Sequence, residues 1–155
     1  MDMPILIPKS IPTKNRFIFM RILIWIFAVR KWEIAEDWTY VLRDGTKIII
    51  RKGFIFDGAS IPRPLWAILS PTGLLFVPGL IHDYAYKYNK LLSVDLDGNT
   101  SDYKEGAGKL YWDKIFREIG YDVNGMAIID VLAWIALVIG GWCSWWKHRR
   151  KDKDK

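Results

Sequence analysis

Apolar and polar positions divide the chain into two apolar segments that frame a mixed centre. The second segment is the stronger. Ala127 to Trp146 is interrupted only by Asp130, and 20 residues at about 1.5 Å rise each match the roughly 30 Å hydrocarbon thickness of a bilayer. Its strictly uncharged part, Val131 to Trp146, is 16 residues long and holds the Gly140-Gly141 pair. Three readings therefore stand open: a membrane span, an in-plane anchor and a buried helix. The first segment, Phe17 to Val29, contains Arg21 and falls short of a spanning length. It reads as a membrane-surface or buried segment. Lys9, Lys14 and Arg16 precede it, but Arg30-Lys31-Trp32 stands where a signal peptide needs small residues.

Between these segments, Trp38 to Leu42 and Thr46 to Ile50 are β-prone runs around Asp44-Gly45, which predicts a hairpin with a tight primed turn. A further strand is expected over Gly53 to Phe56. Gly58, Pro62 and Pro64 then dictate a loop, and Ser70 to Gly73 a second one. Gly79 to Leu92 predicts a helix, Ser93 to Gly108 a polar exposed excursion, and Lys109 to Ile119 a second helix closed by Gly120. The expected class is α+β: a small antiparallel sheet followed by a helix pair and a C-terminal apolar, membrane-associated helix. The boundaries are an N-terminal apolar and basic segment over 1–37, an α+β domain over 38–125, the apolar helix over 126–146 and a basic tail over 147–155.

Composition sharpens this picture at three points. With 155 residues and 51% hydrophobic content, the chain carries enough apolar material for one core. Its net charge of +6 is concentrated at the end, in KHRRKDKDK, which suits anionic lipid and gives no reason to expect specific nucleic-acid binding. Nine tryptophans are many for this length, and Trp142, Trp145 and Trp146 directly precede Lys147, Arg149 and Arg150 in the order of an interfacial belt. Membrane lipid is the expected partner, with the tail on the cytoplasmic side. The single cysteine, Cys143, excludes an intrachain disulfide and a zinc knuckle.

Candidate chemistry is restricted by the two histidines. His148 lies in the tail, so His82 is the one candidate imidazole in the folded part. In His82-Asp83-x-x-Tyr86, four positions place His82 and Tyr86 on one helix face, while Asp83 points about 100° away. Asp113 sits on the second helix, and an antiparallel arrangement would set it against His82. That contact would fix the imidazole tautomer and leave the other ring nitrogen to activate a water. Asp83 would then be available to a hard cation. The plainer reading is a helix pair joined by local hydrogen bonds. Ser60 with His82 and Asp113 has the residue types of a hydrolase triad, but no G-x-S-x-G surrounds it. Asp57 with His82 and Asp113 has acceptable metal ligands without a diagnostic spacing. Asp95-x-Asp97-Gly98-Asn99 lacks the terminal glutamate of a calcium loop and reads as solvated.

HDYAYKYNK from His82 and WDKIF from Trp112 together resemble the two-helix core of secreted and viral phospholipases A2. The resemblance implies His82 as the water-activating base, Asp83 as a calcium-binding carboxylate, Tyr86 as structural support and Asp113 as the group orienting the histidine. Asp57-Gly58-Ala59 is the nearest counterpart of the calcium loop, with Ser60 beside it as a supporting residue. Ca2+ or another divalent metal is the implied cofactor. The flanking cysteines of that family are absent. A longer resemblance, over roughly Trp38 to Gly141, is to a small phage and prophage domain family of unknown function. It rests on GFIFDGASIPRPLW, SPTG, IHDYAY and DKIFREIG. It implies a phage or prophage origin and supplies no established activity; with the apolar helix and basic tail, the expected location is the host bacterial inner membrane, and other phage proteins are expected partners. Two functions are consistent with these features: a membrane-associated lipid-ester hydrolase, and a non-enzymatic membrane or virion component in which HDYAY is structural.

Overall fold

The computed structural model describes residues 2–11, 17–21, 31–56 and 73–153. Among them are a helical turn over 18–21, seven short strands and, from Phe76 onward, four helices in an α+β arrangement. Strands β1 (Leu6–Pro8), β2 (Trp32–Ile34) and β5 (Ile55–Phe56) form one antiparallel sheet in the order β1-β2-β5. Strands β3 (Trp38–Val41), β4 (Lys47–Ile50), β6 (Leu91–Val94) and β7 (Thr100–Tyr103) form a second, in the order β3-β4-β6-β7. Helices α1 (Phe76–Tyr88) and α2 (Lys109–Asn124) pack as a pair, followed by α3 (Ala127–Gly140) and α4 (Trp142–Lys153).

The expected β3-β4 hairpin is present, with Trp38 opposite Ile50 and Val41 opposite Lys47. Its turn differs from the primed form. Gly45 N–H donates to the Leu42 carbonyl at 2.9 Å, and positive φ falls on Gly45 but not on Asp44, which gives a three-residue loop. The Asp44 carboxylate accepts the Thr46 N–H at 2.9 Å and fixes the loop locally.

The polar stretch expected as an excursion contains a second hairpin of the same kind. Asp95 Oδ1 accepts the N–H groups of Asp97 and Asn99 at 3.0 and 2.8 Å, and Gly98 carries the positive φ. The oxygens that resemble calcium ligands thus serve the turn. Strand β6 adds to β4 and so extends the first hairpin into a four-stranded sheet.

Helix α1 stops earlier than expected because Asn89 adopts the left-handed conformation and closes it, freeing Leu91 onward for β6. The Asn89 side-chain oxygen accepts both Gly108 N–H (3.1 Å) and Trp112 Nε1–H (3.0 Å), tying the end of α1 to the start of α2. Helix α2 runs past Gly120 to a left-handed Gly125. Gly120 is a packing residue instead of a stop: a Cβ there would lie 2.5 Å from an Asp130 oxygen on α3.

The expected continuous apolar helix is two helices. Among the described residues no single helix is long and apolar enough to cross a membrane, and Ala127–Gly140 meets Trp142–Arg150 at a 52° bend. Only glycine fits at the bend. A Cβ at Gly141 would approach the Leu137 carbonyl to 2.5 Å and the Tyr86 hydroxyl to 2.7 Å. The main core joins both sheets to α1, α2 and the inward side of α4, through residues that include Ile34, Ile48, Ile50, Leu80, Ile81, Trp112 and Trp145.

Candidate functional site

Helix α1 consists largely of apolar residues and is buried over most of its length, so its few polar side chains must find partners inside the protein. His82 and Tyr86, one turn apart, both face α2. Their ring centroids lie 3.9 Å apart, and Phe116 meets the imidazole edge-on at 5.5 Å. Opposite them on α2 stands Asp113, which is 0% exposed, while His82 is 5% exposed. His82 Nε2 lies 3.0 Å from Asp113 Oδ1, and the Tyr86 hydroxyl donates to the same oxygen. Asp113 Oδ2 accepts from Lys109 Nζ at 2.6 Å.

Lys109 is the member that sequence reasoning missed. It is only 3% exposed, and its ammonium also donates to the carbonyls of Leu137 (2.9 Å) and Val138 (3.2 Å). All three of its donors are thereby engaged. Those carbonyls belong to the last turn of α3, where a positive charge also complements the helix dipole. The Trp142 ring lies 5.0 Å from the same ammonium. The available signal was the four-residue spacing of Lys109 and Asp113 on one helix.

Charge balance settles the protonation states. Burial raises the Asp113 pKa, but hydrogen bonds from His82, Lys109 and Tyr86 together outweigh it and hold the carboxyl below its ordinary value. Burial lowers the His82 pKa against the opposing pull of Asp113, and Lys109 reinforces the lowering. With Asp113 ionised and Lys109 charged, a neutral imidazole leaves the cluster without net charge. Because an ionised carboxylate only accepts, His82 carries its proton on Nε2 and retains the acceptor on Nδ1. Burial pushes the Tyr86 hydroxyl far up, and it stays protonated.

This arrangement orients an imidazole, as a general base requires, but it also encloses the pair and commits both Asp113 oxygens. Part of the enclosure is α4. Trp145 packs edge-on against Tyr86 at 5.2 Å, and Arg149 donates to the Tyr86 and Lys87 carbonyls at 2.7 and 3.0 Å while stacking on Trp145 at 4.7 Å. Trp145 and Arg149, expected at a membrane interface, thus face the protein. Trp142, Trp146, Lys147 and Arg150 face outward, with the two tryptophans 42% and 56% exposed.

Asp83 does not join the cluster and lines a cavity that Tyr86 also borders, with Lys31, Lys87, Ser144, Lys147 and His148. Asp57 and Ser60 lie outside the described residues. Among the described residues, no group of three or more His, Cys, Asp or Glu side chains is placed to hold a metal ion. Asp130, the one interruption of the apolar run, is buried beside Gly120 and accepts from Asn124 at 3.2 Å; burial raises its pKa against that hydrogen bond.

Comparison with known proteins yields one family match. The profile described as "Protein of unknown function (DUF1353)" covers residues 32–137, from β2 through most of α3 and including the whole cluster. No curated protein and no solved structure matches the chain.

Proposed function

The chain belongs to the DUF1353 family, and from that premise we propose that it is a phage- or prophage-encoded protein that docks on the host inner-membrane surface, through the outer side of α3 and the exposed tryptophans of α4. In this reading the His82-Asp113-Tyr86-Lys109 cluster is the internal tie that holds the docking helices to the domain.

One observation carries the proposal. On α3, Ile128, Val131, Leu132, Ile135 and Ile139 recur at steps of three and four, which places them on one side, and all are exposed, Ile128 at 78% and Ile139 at 74%. The opposite side, with Asp130 and Ala133, is buried against the domain. On α4, Trp142 and Trp146 add exposed apolar surface beside Lys147 and Arg150. Apolar bulk flanked by tryptophan and basic residues suits a helix lying in an anionic interface. Burying five such side chains, already partly shielded, contributes on the order of 5 kcal/mol or more before the costs of association. Phe17, Ile18 and Phe19 add exposed apolar surface from the N-terminal segment.

The test is flotation of the full chain with phosphatidylglycerol-containing vesicles. The Ile128→Ser/Ile139→Ser variant should lose vesicle binding and keep its melting temperature, since both side chains are exposed. Undiminished binding by this variant would remove the basis of the proposal.

A second reading, hydrolysis of a lipid ester, draws on the 3.0 Å His82–Asp113 contact and the Nδ1 acceptor it leaves. Here His82 would act as base and Asp113 would orient it, after movement of α4 admits water. Asp83 and Asp57 are the residues that would hold a calcium or other divalent ion, which would supply charge stabilisation at the ester carbonyl. Fatty-acid release from vesicles that disappears in a folded His82→Asn variant would favour this reading. The docking reading expects no release from either protein.

A further inference from the structure

We infer that the cavity between α1, α4 and the β5 edge binds the phosphate of an anionic phospholipid headgroup, an inference that rests on the membrane-surface reading above. The cavity measures about 270 Å³ and is floored by Phe54, Ile55 and Phe56. Two helices deliver its polar lining from single turns: Asp83 and Lys87 from α1, and Ser144, Lys147 and His148 from α4, with Lys31 entering beside β2. None of Lys31, Lys87 and Lys147 has an ion-pair partner among the described residues. The Lys87 ammonium lies 5.1 Å from the ring centres of both Phe54 and Tyr88.

Among the described lining residues three ammonium groups outnumber the one carboxylate, and converging lysines attract a compact anion as point charges. The volume is at the small end for a ligand pocket, fitting a headgroup better than a whole lipid. Position supplies the remaining argument. Lys147 also lines the open hollow formed with Trp142, Trp146 and Arg150. A headgroup phosphate held at Lys31, Lys87 and Lys147 would therefore leave its acyl chains beside the exposed tryptophans. A freely diffusing phosphate would make no use of that adjacency.

The experiment compares vesicle affinity of the full chain on phosphatidylcholine alone and on phosphatidylcholine mixed with phosphatidylglycerol. Lys31→Gln/Lys87→Gln should weaken binding to the mixed vesicles by about fivefold per lysine, roughly 25-fold together, and leave the weak binding to phosphatidylcholine unchanged. Lys47→Gln/Lys52→Gln, at exposed positions away from the cavity, is the control for general charge. Equal losses from the two pairs, or no loss from the first, would overturn the headgroup site. Inorganic phosphate should compete only weakly. Phosphate binding that depends on Lys31 and Lys87, with mixed-vesicle binding insensitive to both, would assign the cavity to a free anion and also overturn the inference. Failure of the parent protein to bind either vesicle would instead refute the docking reading itself. Loss of binding in Trp142→Ala/Trp146→Ala with the lysine variant intact would spare docking and reject the headgroup site alone.

Discussion

Asp113→Asn is the most demanding perturbation of the internal tie, because it keeps the shape of the side chain and removes its charge. Asp113 is fully buried and accepts from His82, Tyr86 and Lys109 at once. An amide in its place offers one acceptor oxygen, so at least one of those donors loses its partner. It also leaves the Lys109 ammonium, 3% exposed, without a countercharge. Breaking a buried ion pair from one side costs about 3–5 kcal/mol. In a chain of this length that corresponds to a fall in melting temperature of roughly 10 °C, at about 2–4 °C per kcal/mol. The assay is urea unfolding followed by tryptophan fluorescence, read as a shift in midpoint at unchanged slope.

The companion variant Lys109→Met separates pair energy from packing. Removing both charges should cost less than the sum of the two single changes, with a coupling of about 2 kcal/mol. Some loss would remain, because the Leu137 and Val138 carbonyls also lose their donor. A cost below about 1 kcal/mol for Asp113→Asn, or strict additivity of the pair, would refute the view that this cluster holds α2 and α3 together.

Three further outcomes are expected. Burial lowers the His82 pKa below 6.5, so the unfolded chain binds a proton that the folded chain refuses; stability should be full above about pH 6.5 and decline as pH falls from there toward the depressed folded value, and this slope should vanish in His82→Gln when urea midpoints are compared across pH. The Asp113 carboxyl is also held low, so its own contribution should persist through that window and disappear only well below pH 3.8. Gly141→Ala should destabilise by about 1–3 kcal/mol in a thermal melt, because the new methyl would meet the Leu137 carbonyl and the Tyr86 hydroxyl at the bend.

Much of the site was legible in the sequence because helical spacing is a strong constraint. His82 and Tyr86 at i and i+4, with Asp113 beside the apolar face of the next helix, leave few ways to satisfy a buried imidazole. Lys109 escaped notice because a lysine at a helix start reads as solvent-facing until the end of another helix is known to lie against it. The β6-β7 hairpin was hidden for a related reason. Thr100 to Tyr103 is largely exposed and carries little apolar alternation, so its strand character comes from pairing with β6 and from the turn built by Asp95. The bend at Gly141 was visible as a glycine pair, but the close approach of Tyr86 from α1 that requires a glycine there comes from far away in sequence. Trp145 and Trp146 are adjacent in sequence and face opposite environments, a distinction that only the docking of α4 on Tyr86 decides.

That distinction also provides the sharpest measurement of membrane docking. Tryptophan fluorescence of the full chain should be quenched by vesicles carrying brominated acyl chains, and Trp142→Phe/Trp146→Phe should remove most of that quenching, whereas Trp145→Phe should leave it intact. Quenching that survives loss of Trp142 and Trp146, or its absence in the parent protein on phosphatidylglycerol-containing vesicles, would contradict docking through the outer side of α3 and α4.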